Sequence, residues 1–194
     1  MNRRRAVWTA GTAAALAAGL AAFAGPREAD PLPDSETLRL EVDLSERTLS
    51  VLERGQVVET HPVTVGSPDH PTPMGTYRIE RVVWNPDWIP PDSEWAEGRK
   101  RVPPGSDNPM GRVKMFFRHP AYYVHGTRDV WNLGKAASHG CVRMSNGDVL
   151  DLAKVVMAHG GEPREPGWFR RVINRFTDTR EVSLSRPIVL VVGA

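Results

Sequence analysis

The sequence predicts a mainly β domain, rich in strands and loops, with a helix following its only cysteine. Three observations predict it. From Thr37 onward, short runs alternate apolar and polar residues between turn residues, the period of half-buried strands. The chain carries 17 Pro and 17 Gly, which disfavours a helical bundle. After Cys141, apolar residues recur instead at helical spacing.

Residues 1–24 have the pattern of an export signal. Arg3-Arg4-Arg5 is a positive start, Ala6 to Ala24 is uncharged and Ala-rich, and Ala22-Phe23-Ala24 is an A-x-A cleavage site. A retained anchor is the alternative, since the stretch is just long enough to span a bilayer. Either way the body is expected outside the cytoplasm, in the periplasm or cell envelope, and touches membrane only if the stretch is uncleaved. Residues 25–36, rich in Pro and Asp, form a linker, and one domain is expected over 37–194.

The alternation places strands over 37–44, 48–53, 57–65 and 75–84, with turns at Ser45-Glu46-Arg47 and Arg54-Gly55-Gln56. Together they suggest a β-meander. Residues 85–110 hold six prolines, which break ladders and helices, along with Trp88 and Trp95. So long a loop is either a flap packing its own aromatics or a wall beside a substrate. Strands follow over 111–117 and 121–125, then a loop with Trp131 and Asn132. Ser145 or Asn146 caps a helix running to about His159, with Val149, Leu152, Ala153, Val156 and Met157 on one face. A second short helix over 165–176 and a strand over 182–192, interrupted at Pro187, end the chain.

The formal charge of +2 comes from the leader. From Gly25 onward 22 basic residues face 23 acidic ones, a net of −1, which gives no reason to expect a nucleic-acid partner. One cysteine cannot form an internal bridge. In an exported protein it is an intermolecular link or a free reactive thiol.

The motif Ser138-His139-Gly140-Cys141-Val142-Arg143-Met144 surrounds that cysteine with polar and charged residues, a poor setting for an inert core thiol. A thiol nucleophile needs a base. His139 is two residues away, too far for an easy bond between side chains on one extended face. His125 ends a strand, and a strand–loop–strand return brings it opposite Cys141. His125 is therefore the base. Backbone N–H groups of Gly140 and Cys141 are candidate oxyanion donors. Arg143 suits a substrate carboxylate, and Ser138, Trp131 and Asn132 are further candidate substrate contacts. Cys141 leads into the helix, so its thiolate is expected to gain from the helix dipole. A zinc site made of His125, His139 and Cys141 lacks the usual ligand spacing. Ser138 lacks the setting of a serine nucleophile. His61, His70, His119 and His159 read as surface or structural.

His125-Gly126-Thr127, twelve intervening residues, then Ser138-His139-Gly140-Cys141 resembles the L,D-transpeptidase catalytic domain, or YkuD domain. Thr72-Pro73-Met74-Gly75-Thr76-Tyr77, Asn85-Pro86-Asp87-Trp88-Ile89-Pro90-Pro91 and Pro104 to Gly111 are similar to further family segments, in the family's order. The resemblance covers about 37–159; the segment after Gly161 departs from it.

The resemblance implies a β-sandwich-like fold and an acyltransferase acting on peptidoglycan stem peptides. Cys141 would attack an L-to-D peptide bond and release D-alanine. A neighbouring stem's amine would then resolve the acyl-enzyme into a 3→3 cross-link. His125 carries over as base, the Gly126 carbonyl as its orienting partner and His139 as a supporting residue. No cofactor or metal is implied, and carbapenem-type β-lactams are expected to acylate Cys141. A carboxypeptidase, an enzyme acting on wall-linked protein, and a non-catalytic wall-binding module are the rival expectations.

Overall fold

The computed structural model describes residues 38–119 and 121–194; the expected signal sequence and linker lie outside the described residues. Ten strands and two helices follow in order: β1 (Arg39–Asp43), β2 (Thr48–Glu53), β3 (Gln56–Pro62), β4 (Val65–Gly66), β5 (Gly75–Trp84), β6 (Val113–Arg118), β7 (Tyr122–Thr127), β8 (Ala136–Ser138), β9 (Val142–Ser145), α1 (Asn146–His159), α2 (Pro166–Asn174) and β10 (Arg180–Gly193). The mainly β expectation holds, with the helix where the periodicity put it.

Eight strands form one sheet in the order β3-β2-β1-β10-β5-β6-β7-β9, and β4 pairs β8 in a second. The meander expectation holds for β1, β2 and β3 only, because β3 is an edge of the sheet and β5 lies on the other side of β1. β10 lies between β1 and β5, parallel to the first and antiparallel to the second. Alternation along β1 showed which face is buried but carries no information on which strand lies alongside. The expected third strand also divides, because β4 leaves the main sheet to pair with β8. Along β10 the register shifts between Ser183 and Ile188, the stretch that contains Pro187, as the missing N–H of proline requires.

The core follows the alternation along β1 and β2, while β5 buries three successive residues, Val82, Val83 and Trp84. Leu40 and Val42 of β1, Leu49 and Val51 of β2, Ile79 and Val82 of β5 and Leu190 of β10 are all buried. Trp84, wholly buried, donates its indole N–H to Met157 Sδ of α1 at 3.2 Å and meets Trp168 and Phe169 of α2 edge-on and tilted, at 5.7 and 5.5 Å. One side chain thus ties both helices to the sheet. Ser145 caps α1, accepting from Asp148 N at 3.1 Å while its hydroxyl donates to Asp148 Oδ2 at 2.7 Å. Pro166 opens α2 at the first turn, where its missing N–H costs nothing.

Two asparagines hold the proline-rich segment that follows β5. Asn85, at φ +46°, reaches the carbonyls of Val172, Arg175 and Asp178 with its amide and so caps the end of α2. Asn108 does the same inside the loop, toward the carbonyls of Pro86, Val102 and Pro103, while its own oxygen accepts from Met110 N. Trp88 and Val102 exchange a pair of backbone bonds at 2.9 Å. Side-chain amides here replace the ladder that proline forbids.

Leu190 of β10 pairs with Leu40 of β1 and Tyr77 of β5 and has no exposed surface. Leu190→Ala should cost about 2–5 kcal/mol. Urea unfolding followed by tryptophan fluorescence should show a lower midpoint with an unchanged slope.

Candidate active site

Three neighbouring strands build the site at one end of the sheet. β6 and β7 pair antiparallel with Lys114 opposite His125; β7 and β9 pair parallel with His125 opposite Arg143. Residues in register point to the same face, so Lys114, His125 and Arg143 form one cross-strand row. Tyr123 and Cys141 each stand two residues earlier on their chains and belong to the next row. All five line a single cavity of about 550 Å³. The parallel pairing of β7 with β9 thus brings together a histidine and a cysteine that are distant in sequence.

The return to Cys141 is fixed by a tight turn. Ser138 Oγ donates to the Cys141 carbonyl at 2.6 Å and accepts from Gly140 N at 3.0 Å. Gly140 has φ +102°, a region side chains avoid, and a β-carbon there would run into the Tyr122 ring. Thr64 and Arg143 exchange backbone bonds at 2.8 and 2.9 Å, which closes the outer edge of β9.

His125 is almost wholly buried, at 2% exposure. Its Nδ1 lies 2.8 Å from the Gly126 carbonyl. A carbonyl only accepts, so Nδ1 carries the proton and Nε2 is the free base. Gly126 can take no side chain. A β-carbon there would collide with Asn146 Oδ1 and crowd Val149, and one on Gly111 would strike Asn146 and the Gly126 backbone. Asn146 Oδ1 itself accepts from Arg112 N at 3.0 Å. This close packing holds the carbonyl that orients the base.

Burial pushes the pKa of His125 down to about 4; the Gly126 carbonyl opposes this, Arg143 and Lys114 add to it, and the Met110 carbonyl opposes it weakly. Burial pushes the Cys141 thiol up, against the Tyr123 N–H and the charges of Arg143 and Lys114. The thiol is partly accessible from the cavity and donates weakly to the Ala121 carbonyl at 3.5 Å. Near neutral pH the pair is therefore a thiol and a neutral imidazole. The expected help from the helix dipole is absent: the four residues of β9 separate Cys141 from α1, and the dipole acts only over the first turn.

The other sequence-derived candidates divide. His139 lines the cavity and stacks on Trp95 at 4.1 Å and 19°, with His70 at 4.8 Å on it as well. Beyond it a second, more open hollow of about 840 Å³ is lined by His70, Trp95, Tyr122, Asp69 and Glu94. Arg143 lines the cavity. Ser138 is buried and belongs to the turn rather than to the cavity lining. Trp131 and Asn132 lie outside that lining: Trp131 is 84% exposed, and Asn132 holds Asp129 and, through its carbonyl, the Thr64 hydroxyl. Of the two oxyanion candidates, Gly140 N–H is engaged by Ser138, whereas the Cys141 N–H has no acceptor among the described residues.

Some cavity residues escaped the sequence argument. Lys114 interrupts the apolar run Val113-Lys114-Met115-Phe116-Phe117 and was indistinguishable from an outward strand charge. Asp87, Trp88, Pro91, Trp95 and Met110 make the proline-rich loop a wall of the cavity. His70, expected to be surface or structural, packs against the His139 ring beside the cavity. Among the described residues no three histidine, cysteine, aspartate or glutamate side chains gather as a metal site, and no helix is long and apolar enough to cross a membrane.

A cysteine and a histidine of fixed tautomer open on one cavity walled by a loop, the pair of groups that thiol acyl transfer requires. Residues 37–174 match the family model described as the L,D-transpeptidase catalytic domain, YkuD. The chain belongs to that family. A Bacillus licheniformis protein named as the L,D-transpeptidase YkuD is 34% identical over 124 residues, which cover 64% of this chain and 63% of that one. An Escherichia coli protein named as the L,D-transpeptidase YbiS is 32% identical over 134 residues, covering 64% of this chain and 44% of that one. The chain thus matches less than two thirds of the length of either relative. Among solved structures, an L,D-transpeptidase from Mycobacterium smegmatis superposes with a TM-score of 0.50 at 19% identity, over 81% of this chain and 59% of that one; this likeness concerns the fold.

The buried imidazole makes the fold acid-sensitive. Below its unfolded value of 6.5 the unfolded chain takes up a proton that the folded His125 refuses until about pH 4. Stability contributed by the neutral ring is therefore full above pH 6.5 and is lost as the pH falls toward 4. Relative to His125→Gln, the wild type should lose up to about 3 kcal/mol across that window, measured by urea unfolding at each pH. Equal loss in both proteins would contradict the assignment.

Proposed function

We propose that the chain is an L,D-transpeptidase that works through a thioester on Cys141 and joins peptidoglycan stem peptides in the cell envelope. The observation that carries this is the Nδ1 bond of His125 to the Gly126 carbonyl, beside a thiol in the same cavity. Membership of the family supports the substrate class. Arg3-Arg4-Arg5 and the Ala-rich stretch after them support export to the periplasm.

As the Cys141 sulfur attacks the donor carbonyl, its proton passes to His125 Nε2. The Gly126 carbonyl steadies the imidazolium through Nδ1–H, in the place a carboxylate takes in other triads. The Cys141 N–H meets the developing oxyanion. Collapse breaks the C–N bond, His125 returns the proton to the leaving amine, and the thioester remains. A stem amine then attacks the thioester, again losing its proton to His125, and the thiol is restored. A neutral starting pair suits this, because charge separates only as the transition state forms. The same nucleophile would open a carbapenem-type β-lactam.

Purified protein incubated with tetrapeptide muropeptides should give a 3→3 linked dimer with release of D-alanine, read by mass spectrometry. Cys141→Ala should give none, and His125→Ala should lower the rate about 10²–10⁴-fold. Tripeptide without dimer would make the enzyme a hydrolase instead.

A further inference from the structure

Two cations flank the base, and the reaction as derived uses neither. Lys114 and Arg143 stand on either side of His125 in the cross-strand row, one strand spacing away, roughly 5 Å between backbones. Both line the cavity that holds Cys141. Among the described residues neither forms an ion pair. Lys114 Nζ donates to the Asp87 backbone carbonyl at 3.2 Å and lies over the Tyr123 ring at 5.0 Å. Arg101 takes one oxygen of the Asp87 carboxylate, Oδ2, at 2.5 Å, while Oδ1 is buried without a partner among the described residues and the Asp87 charge offsets part of the burial of Lys114. A half-buried ammonium so placed has donors to spare facing the cavity.

The chemistry of the leaving group says what belongs there. His125 must hand its proton to the leaving amine. In an amino acid one carbon separates that nitrogen from the carboxyl group. If the leaving residue is the last of its chain, its carboxylate must therefore come to rest within a side chain's reach of His125. Lys114 and Arg143 occupy that position. We propose that Lys114, with Arg143, receives the terminal carboxylate of the leaving residue, and that Lys114 confines the enzyme to donors that end one residue beyond the bond it cuts. The proposal rests on the transpeptidase function above. Burial lowers the pKa of Lys114, so a bound carboxylate would offset the cost of keeping this ammonium partly out of water. A peptide that continues past the leaving residue, or ends in an amide, leaves that cost in place.

The test compares one tetrapeptide donor as its free acid and as its C-terminal amide, following release of D-alanine or D-alaninamide and thioester formation on Cys141. The wild type should favour the acid by about 10- to 100-fold in kcat/KM, the range of a charge-assisted hydrogen bond. Lys114→Met should lose most of that preference through its rate on the acid, and Lys114→Arg should recover part of it. Iodoacetamide labelling of Cys141 across pH accompanies each variant. A wild type indifferent to acid and amide would overturn the proposal. So would a Lys114→Met protein slowed equally on both donors with a shifted labelling profile, which would make the lysine a tuner of the thiol. A wild type that labels normally but processes neither peptide would overturn the transpeptidase function, and this inference with it.

Discussion

The hydrogen bond from His125 Nδ1 to the Gly126 carbonyl is the constraint on which the site depends. It leaves Nε2 as the only basic nitrogen and aims it from a buried ring. A backbone carbonyl can orient a base only if the backbone cannot turn. Here the carbonyl lies on a strand paired on both sides, β6 and β9, and is backed by Gly111 and Asn146 at contacts that admit no β-carbon. The cap of α1 begins beside it, at Ser145. Sheet, helix start and two glycines thus converge on one peptide unit.

Burial sets the chemistry that this geometry then uses. The same dry environment that weakens His125 as a base also raises the thiol, so neither group carries charge before substrate arrives. A polar backbone partner opposes this on each side, and in both cases burial wins. The cations of β6 and β9 reinforce neutrality at the imidazole while favouring an anion in the cavity. The wall built from the proline-rich loop, held by Asn85 and Asn108 instead of a ladder, encloses this space and carries Trp95 onto His139.

Local features were legible in the sequence. Period-two runs marked β1 and β2, and the apolar face of α1 was named residue by residue, because both depend on neighbours a few positions apart. The placing of His125 near Cys141 was legible too: a strand–loop–strand return sets the two on neighbouring chains, and both line one cavity. What depended on distant partners was not legible. Nothing in Arg180–Gly193 shows that it separates β1 from β5. Nor does anything around Cys141 show that a strand separates it from the helix. Trp131 and Asn132 drew attention as aromatic and polar residues in a loop between His125 and Cys141, yet that loop turns them away from the cavity lining. Lys114 carried the opposite ambiguity. A charge inside an apolar strand reads as solvent-facing until the register sets it beside the base.

The resting site holds a neutral thiol and a neutral, Nδ1-protonated imidazole. Nitrogen-15 NMR of the His125 ring, recorded from pH 8 down to pH 4, tests it most directly. One protonated and one bare ring nitrogen are expected at pH 7, with the second proton arriving only near pH 4. A ring protonated on both nitrogens at pH 7 would mean a thiolate–imidazolium pair and would contradict it.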